Sequence, residues 1–485
     1  MAESRLHESL APRALFGFGL QLVLRLRGLV LIPIVVRALP PSEVGLLNLG
    51  NSFVGWLTPL LLLGINTGFA LRVVHLTGPA VRPAVLSVLS FSTSVSLGGT
   101  ILILAAVDHG LLGAAFAPLI PVLIPLGLLA IGTTTREVAS VFPQVCQDLR
   151  FIGQNSIFMD FGGVLLAIAL VLGGFGAYGA ILGPAVLSLA GATLAASYSL
   201  RHAEGPWSVD RAFLAHALRA ALPVVPWALA LWTLQSSDYF FVSYFRGTAA
   251  VAIYGLAYNL ASPTLMAMAA MNLTYLPTCV EILGRGRLEF AKFIDNSTRL
   301  FALGGIAAVA FAVVAGPGMT TWFAGPGYAE SGRLLPVVVS AYALLSLAQL
   351  QQFVPSAMTQ DLSGAARAYA WAAGLNIMAN FVLVPRYGYW GAAWATLGSY
   401  GLALLLLVRD VRALLPEMAW PKMIGRLTIL TIASSGVALL LRPLATGPLA
   451  AVGLGLVSLI LVAAFSVALR LITRNDLAGW RPTWR

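Results

Sequence analysis

Residues 162–197 read GGVLLAIALVLGGFGAYGAILGPAVLSLAGATLAAS, and this stretch decides the fold class. It lies within forty consecutive residues, 161–200, that contain no Asp, Glu, Lys or Arg. A membrane-spanning helix needs about 20 predominantly apolar residues. The stretch is therefore long enough for two spans, which hydropathy predicts at 154–174 and 178–199, with glycines at the turn between them.

The rest of the 485-residue chain has the same character. Apolar residues make up 59% of the sequence and charged residues 10%, and the mean hydropathy is +0.88. A soluble domain has about 45–50% apolar and about 25% charged residues, so one soluble core cannot bury this much apolar surface. We therefore expect an all-α integral membrane protein with about 14 transmembrane helices.

Hydropathy along the chain predicts the limits of these spans, and the basic residues predict their orientation. The predicted spans are 14–37, 45–71, 83–107, 111–135, 154–174, 178–199, 217–242, 249–280, 300–316, 334–358, 366–384, 389–408, 426–442 and 448–470. With both termini in the cytoplasm, 22 Lys and Arg residues fall in inner segments and five fall in outer loops. This bias is the one that the positive-inside rule requires.

The two halves of the chain share short segments at a nearly constant offset. The pair Arg37 and Gly45 recurs as Arg246 and Gly255, QDL at 147–149 recurs at 360–362, and FGAYGA at 175–180 recurs as YGYWGA at 387–392. We therefore predict two six-helix lobes in the same orientation, related by an axis along the membrane normal, with the substrate site between them. The predicted domains are 1–205, 206–410 and 411–485, and the last holds helices 13 and 14 with a cytoplasmic tail. Chance similarity in a sequence of biased composition is the alternative.

Several functions are excluded or disfavoured by the residues present. The two lysines, Lys292 and Lys422, do not follow glycine, so the chain has no phosphate-binding loop for ATP-driven pumping. The net charge is +11, and the arginines that carry it lie between hydrophobic runs. This distribution is typical of topology signals rather than of nucleic-acid binding. The two cysteines form no CxxC motif, and the five histidines show no metal-ligand spacing. We therefore expect no enzyme activity, cofactor, bound metal or nucleic-acid partner.

Two arginines lie near the middle of the first predicted helix, where a charge costs about 2.5–3.5 kcal/mol on insertion scales. Arg25 and Arg27 are two residues apart, which is about 200° of helix rotation, so they cannot face the same way. Gln21 shares the face of Arg25, and we therefore expect Arg25 to line a cavity. Arg27 is expected to form an ion pair or to extend its guanidinium toward the membrane–water interface. The alternative to a cavity role is that both arginines only form ion pairs with buried acids, Asp160 or Asp238.

Further polar side chains within the predicted spans favour a water-filled interior. Those expected to line the cavity with Gln21, Arg25 and Arg27 are Asn48, Asn51, Asn66, Asp238, Asn259, Asn376 and Asn380. For each asparagine the alternative is a hydrogen bond between helices, which is common in membranes.

Several segments carry a family resemblance. The stretch PIVVRALPPSEVGL at 33–46 resembles the first outer turn of polysaccharide flippases of the O-antigen (Wzx) type, in the multidrug/oligosaccharidyl-lipid/polysaccharide (MOP) exporter superfamily. Similar segments are Leu222-Pro223, SSDYF at 236–240, IYGLAY at 253–258, FAGPGY at 323–328, LLP at 334–336, NFVLVPRYG at 380–388 and GAA at 391–393. The resemblance covers roughly residues 14–410 and identifies the superfamily better than the substrate.

The resemblance implies a multi-pass protein of a prokaryotic inner membrane that moves a polyprenyl-diphosphate-linked oligosaccharide outward for surface polysaccharide biosynthesis. The products would be O-antigen, exopolysaccharide or capsule. A basic central cavity would hold the diphosphate and the sugars, the lipid tail would stay in the bilayer, and rocking lobes would give alternating access. It also implies H⁺ or Na⁺ as a coupling ion and a polysaccharide polymerase as a partner.

Two alternatives share the fold that the resemblance implies. A drug or cation antiporter would need an acidic cavity, whereas the central charges here are Arg25 and Arg27. A lipid II flippase is disfavoured because the early helices carry few charges. A membrane glycosyltransferase or polymerase would normally have a sizeable outer loop, and the predicted outer loops are short.

The predicted orientation can be measured directly. A reporter fused at Gly327 should read external, because this residue falls in an outer loop, and a reporter fused at Arg485 should read cytoplasmic. Alkaline phosphatase and fluorescent-protein fusions give the two readings. An external reading at Arg485 would contradict both the even number of spans and their orientation.

Overall fold

The computed structural model describes residues 31–222, 224–265, 275–359, 363–418, 420–469 and 471. These residues are predominantly helical and include no strand, which confirms the predicted all-α membrane fold. Among them, ten helices are long and apolar enough to cross a membrane, or eleven if the bent pair Arg211–Ala221 and Val225–Ser236 is one span. The total of fourteen stays a prediction, because most of the first predicted span lies outside the described residues.

Contacts within the chain divide it into two compact units, Met1–Ala252 and Ile253–Arg485. The predicted domain limits at 205/206 and 410/411 rest on the sequence repeat and stay predictions. The units divide later than 205 because the helices between 211 and 246 pack on helices that begin at Pro41, Ile65 and Val81.

The first unit is built from consecutive helices with short connections. In chain order they are α1 (31–38), α2 (Pro41–Leu62), α3 (Ile65–Val73), α4 (Val81–Asp108), α5 (Leu123–Ala139), α6 (Val141–Val145), α7 (Leu149–Leu170), α8 (Gly176–His202), α9 (Arg211–Ala221), α10 (Val224–Ser236), α11 (Asp238–Arg246) and α12 (Thr248–Ala261), the last of which continues into the second unit. A 3₁₀ segment, Ala114–Val122, precedes α5.

A break between α2 and α3 divides the span predicted at 45–71. Pro59 lies in the last turn of α2, and Leu63 and Gly64 then adopt left-handed conformations with φ of 48° and 68°. Beyond the break, α3 packs on α9 so closely that a Cβ atom at Gly68 would overlap the backbone of Ala217. The break therefore redirects the chain and turns the first residues of α3 toward the interior of the unit.

The second unit contains longer helices and the C-terminal pair. In chain order they are α13 (Tyr275–Arg285), α14 (Arg287–Ala324), α15 (Ala329–Gln351), α16 (Phe353–Thr359), α17 (Ser363–Tyr387), α18 (Tyr389–Leu414), α19 (Trp420–Leu441) and α20 (Pro448–Ala468). Helix α14 has 38 residues and extends beyond both ends of the span that hydropathy predicted, 300–316. It packs on α15, α19 and α20. The C-terminal pair is thus anchored on α14 through a core that includes Leu303, Leu430 and Val462.

The α7–α8 and α17–α18 hairpins turn in the same way. Gly176 has φ 55° and ψ −143°, and Gly388 has φ 59° and ψ −138°. Only glycine adopts this region without strain. These two glycines are the residues that the predicted repeat aligns, so at this hairpin the similarity in sequence is also a similarity in backbone. Superposition of residues 14–200 on 217–408 would test the rest of the repeat.

The offset between the repeats changes within the segment that leads to this hairpin. The offset is 213 residues at Gln147 and 212 at Gly176, so the first copy has one extra residue between these positions. The last turn before Gly176, Val171–Phe175, is kinked at Gly174, where φ is 87°. Helix α17 reaches Tyr387 without such a turn.

The strained turn predicts a specific loss of stability. Gly388→Ala should lower the free energy of unfolding by about 1–3 kcal/mol, because alanine is strained at this φ and ψ. Gly398→Ala within α18 is the control, since its new methyl group would enter open space and alanine favours a helix interior by about 1 kcal/mol. Thermal unfolding of both purified variants in detergent gives the comparison. Equal stability of the two variants would show that the turn does not need glycine.

Candidate functional site

Two cavities lie among the spanning helices of the first unit. The Arg136 cavity, of about 490 Å³, lies among α3, α5, α6 and α7, and the Trp232 cavity, of about 380 Å³, lies among α2, α3, α5 and α10. Both are within the size range of small-molecule sites. Asn66, Thr67 and Glu137 line both cavities, so the cavities adjoin at these three residues.

The broken helix places Asn66 at this junction. Asn66 is the second residue of α3, directly after the break at Gly64, and its Oδ1 accepts a hydrogen bond of 2.9 Å from the backbone nitrogen of Thr67. Broken helices commonly form substrate and ion sites in transporters, because their ends leave backbone groups that line a cavity. Asn66 lines both cavities, and its predicted part in substrate binding stays a prediction.

Charged and amide side chains surround the Arg136 cavity. Arg136 Nη1 lies 3.9 Å from Asp160 Oδ2 on α7, and these side chains are only 27% and 13% exposed. Glu137 follows in α5 and borders both cavities. Asn155 is 9% exposed, its Nδ2 lies 3.5 Å from the carbonyl oxygen of Gly191, and its Oδ1 has no hydrogen-bond partner in the described structure. The cavity therefore combines a cation, a carboxylate and amides within spanning helices.

Two tryptophans of α10, Trp227 and Trp232, contribute to the lining of the Trp232 cavity together with Gln235. Trp232 Nε1 donates a hydrogen bond of 3.2 Å to the carbonyl oxygen of Ser52, and Ser52 Oγ donates one of 2.8 Å to the carbonyl oxygen of Ser236. These bonds join α2 to α10 beside the cavity. Aromatic faces with a few directed polar groups are typical of small-molecule sites.

A ring stack supports one wall of the Arg136 cavity. Phe151 lines the cavity and stacks on Tyr198 at 4.1 Å between ring centroids, and Tyr198 stacks on His202 at 4.0 Å. Asp148 caps α7 by accepting from the Phe151 backbone nitrogen, and it accepts a 2.6 Å hydrogen bond from the Tyr198 hydroxyl. The bond from Phe151 and then that from Tyr198 lower the pKa of the Asp148 carboxyl. The cap therefore fixes where the Phe151 ring lies.

The start of α2 is held at two points. Glu43 Oε2 accepts a 2.7 Å hydrogen bond from the backbone nitrogen of Ala177, at the first turn of α8. Gly45 lies against Thr248, the first residue of α12, so closely that a Cβ atom would overlap the Thr248 carbonyl. Both residues belong to the 33–46 stretch that carries the family resemblance, and both contacts depend on their residue type.

The other predicted site residues lie elsewhere or outside the described residues. Gln21, Arg25 and Arg27 are outside them, and their place in a cavity stays a prediction. Of the rest, Asn48 is half-buried, Asn51 and Asn259 are exposed, and Asp238, Asn376 and Asn380 are fully buried. None of these six borders the Arg136 or Trp232 cavity. Asn380 Nδ2 donates to Asn376 Oδ1 at 3.0 Å, a contact within α17.

Sequence reasoning missed Arg136, Glu137 and Asn155. Hydropathy ended the fourth span at residue 135, so Arg136 was counted among topology signals of an inner segment. The structure continues α5 to Ala139, so both charged residues lie in its last turn, and α6 follows directly. The adjacent Thr133-Thr134-Thr135-Arg136-Glu137 run is the signal that could have indicated a polar helix end.

No family model matches the chain, and no curated protein matches its sequence. Its fold matches solved membrane transporters. A lipid II flippase, MurJ, in an inward closed conformation superposes with a TM-score of 0.76 at 12% identity, over 94% of this chain and 99% of that chain. A multidrug resistance MATE family transporter of the MOP superfamily, in an inward-facing conformation, superposes with a TM-score of 0.53 at 16% identity, over 81% and 96%. A MOP superfamily transporter from Pyrococcus furiosus gives 0.55 at 17% identity, over 84% and 95%.

The chain has the fold of MOP superfamily transporters. Its apolar helices and this fold together indicate a multi-pass membrane protein. At these sequence identities the similarity establishes the fold alone. The Wzx type, the substrate and the coupling ion therefore belong to the proposed function.

Proposed function

We propose that this protein flips a polyprenyl-diphosphate-linked oligosaccharide outward across a prokaryotic cytoplasmic membrane, for the synthesis of a surface polysaccharide. The observation that carries the proposal is the pair of adjoining cavities among the spanning helices of the first unit. They offer tryptophan faces, amides and a guanidinium in one continuous lining, and these groups suit sugar rings, hydroxyls and phosphate oxygens respectively.

The predicted orientation supports loading from the cytoplasm. Helix α3 leads into the inner segment that contains Arg72 and Arg82, and α6 lies in the inner segment between Arg136 and Arg150. In that orientation the Arg136 cavity is at the cytoplasmic end of the membrane, where a lipid-linked glycan is assembled. Release on the other side would require α2 and α10 to part at the hydrogen bonds of Ser52.

The predicted arginines fit the same substrate. A diphosphate is attracted more strongly to a guanidinium where water is excluded, because the effective dielectric constant is lower there. Arg25 would hold the diphosphate while the lipid tail stays in the bilayer. A polysaccharide polymerase is the partner we propose for the exported product, and H⁺ or Na⁺ is the proposed coupling ion.

Two other substrates have an observation in their favour. Glu137 gives both cavities a carboxylate, which favours a cation or drug antiporter. The neighbour with the TM-score of 0.76 bears the name lipid II flippase, which favours a lipid-linked peptidoglycan precursor. Substrate competition separates the three functions, because each predicts a different compound that displaces the bound substrate.

The lining of the Trp232 cavity predicts that export depends on Trp232. Trp232→Ala should reduce surface polysaccharide by at least about tenfold, because it removes a face against which a sugar can pack. The matched control is Trp371→Ala, a side chain 71% exposed on α17, which should leave export unchanged. Complementation of a deletion strain, with polysaccharide and protein level measured together, gives the result. Normal export by Trp232→Ala at normal abundance would count against a sugar site in this cavity.

The first helix gives a separate prediction. Arg25→Ala should abolish export while the protein remains inserted and abundant, since removal of an intramembrane charge does not hinder insertion. Arg25→Lys should retain part of the export, because the charge stays but the bidentate guanidinium is lost. Arg27→Ala is the control and should reduce export less. An equal loss from Arg27→Ala would show that the helix face was assigned wrongly.

A further inference from the structure

We infer that helix α9 and the loop before it, residues 203–222, bind anionic phospholipid headgroups, and that this contact stabilises the break before α3. We call residues 203–222 the α9 surface. In the predicted orientation it meets the cytoplasmic leaflet. The partner is the bilayer itself, so the inference goes beyond the transported substrate, and lipid binding can be measured without any glycan.

Helix α9 has a buried face and a basic exposed face. The buried residues recur every four positions and are Phe213, Ala217 and Ala221. Helix α9 packs on α3 and α4, and Phe213 meets Phe69 of α3 edge to face at 6.3 Å between ring centroids. On the other face, Arg211 and Arg219 are exposed. The helix therefore has the basic amphipathic pattern of helices that bind at a membrane interface.

Apolar side chains border the basic face. Leu214, Leu218 and Leu222 form a row at intervals of four residues, in which the first two are half-buried and Leu222 is 52% exposed. In the loop before α9, Trp207 and Val209 are 67% and 53% exposed. Tryptophan is enriched at membrane interfaces, where its ring meets the acyl boundary and its N–H meets water. The α9 surface therefore offers apolar groups to the bilayer beside its cations.

The arginines around this surface lack an anionic partner within the protein. Four of them are exposed at the ends of α3 and α8 and on α9, and form no ion pair within the part of the chain that the structure describes: Arg72, Arg201, Arg211 and Arg219. Two acids lie nearby in the sequence, and Asp210 is engaged as the cap of α9, where its Oδ1 accepts a 2.8 Å hydrogen bond from the Phe213 nitrogen. Glu204 is exposed. The excess of positive charge is complementary to anionic headgroups, which attract arginines near the membrane surface.

Hydrogen bonds hold the loop in place, so Trp207 is presented in a fixed position. Arg82 Nη1 donates a 2.5 Å hydrogen bond to the carbonyl oxygen of Gly205, and the Arg82 guanidinium carbon lies 5.1 Å from the centroid of the Trp207 ring. The Asp210 nitrogen donates a 2.6 Å hydrogen bond to Ser87 Oγ. A surface that is already ordered loses less conformational entropy when it binds.

Helix α9 also supports the break that positions Asn66. A Cβ atom at Gly64 would lie 2.7 Å from the carbonyl oxygen of Ala221, and one at Gly68 would overlap the carbonyl oxygen of Ala217. Because the two backbones meet so closely, a displacement of α9 displaces the start of α3. Lipid that holds α9 should therefore stabilise α3, and with it the junction of the two cavities.

The test is amide hydrogen exchange of the full chain, measured by mass spectrometry without substrate. The protein is reconstituted in nanodiscs of phosphatidylcholine alone or of an equal mixture with phosphatidylglycerol. With phosphatidylglycerol we expect exchange in residues 211–222 to slow by about fivefold or more, because each arginine near an anionic surface contributes to binding. Exchange in α3 should slow with it. About 1 M NaCl should remove most of the effect, since it shortens the Debye length to about 3 Å.

Charge variants assign the effect to the α9 surface. A chain with both Arg211→Gln and Arg219→Gln should lose most of the response to phosphatidylglycerol. The matched control is Arg285→Gln, because Arg285 is also exposed in the last turn of a helix, α13, but is paired with Glu281 at 2.5 Å. This control should respond as wild type does. If the double variant does not fold, the salt series on wild type carries the test.

The inference is overturned if α9 exchanges equally in the two kinds of nanodisc at low salt, if about 1 M NaCl leaves the difference unchanged, or if the double variant responds as wild type does. Slowing by inorganic phosphate in phosphatidylcholine nanodiscs would also overturn it, because the surface would then bind a free anion. Slowing of α9 without α3 would overturn the coupling to the break. A lipid response in a protein that exports no glycan would refute the proposed function alone.

Discussion

A charged or amide side chain among membrane-spanning helices must find a partner or a water-filled cavity inside the protein, because the hydrocarbon around it offers neither. This constraint organises the polar residues of the chain. Arg136 contacts Asp160, Asn380 contacts Asn376 within α17, and Glu137 borders two cavities. The first two arrangements pair polar groups locally. The third places a carboxylate at the junction of the two cavities whose lining carries the proposed function.

The backbone features that create the cavities depend on residues with unusual conformations. The break at Leu63 and Gly64 ends α2 and brings Asn66 to the junction of the cavities. Close approaches at Gly45 and Gly68 let helices meet with their backbones almost in contact. A chain with so few charged residues thus relies on glycine and on small residues to bring helices together, as is common where helices pack in lipid.

Hydropathy predicted most spanning helices well because lipid exposure imposes a strong and local signal. The predicted span 389–408 corresponds to α18, Tyr389–Leu414, and the predicted span 448–470 corresponds to α20, Pro448–Ala468. Hydropathy did not predict the break in 45–71, because the left-handed conformations of Leu63 and Gly64 do not change how apolar the segment is. Hydropathy also cannot separate a charged residue at the end of a helix from one in a loop, so Glu137 was overlooked. Asn66 was predicted from its type alone.

The sparse repeat was informative for a different reason. Gly176 and Gly388 recur because a backbone turn with φ near 57° admits no other residue without strain, so the signal survives where apolar positions have drifted. The likeness to MurJ at 12% identity and a TM-score of 0.76 fits the same view, in which the fold depends on few individual residues.

The central claim is that the protein carries a lipid-linked glycan through these cavities, and reconstitution tests it most directly. Proteoliposomes would be loaded with a fluorescent polyprenyl-diphosphate oligosaccharide, and a membrane-impermeant glycosidase or lectin would report how much glycan reaches the outer leaflet. The account predicts protein-dependent translocation that Trp232→Ala slows and Trp371→Ala does not. Translocation of a cationic dye, with no movement of the glycan carrier, would contradict it.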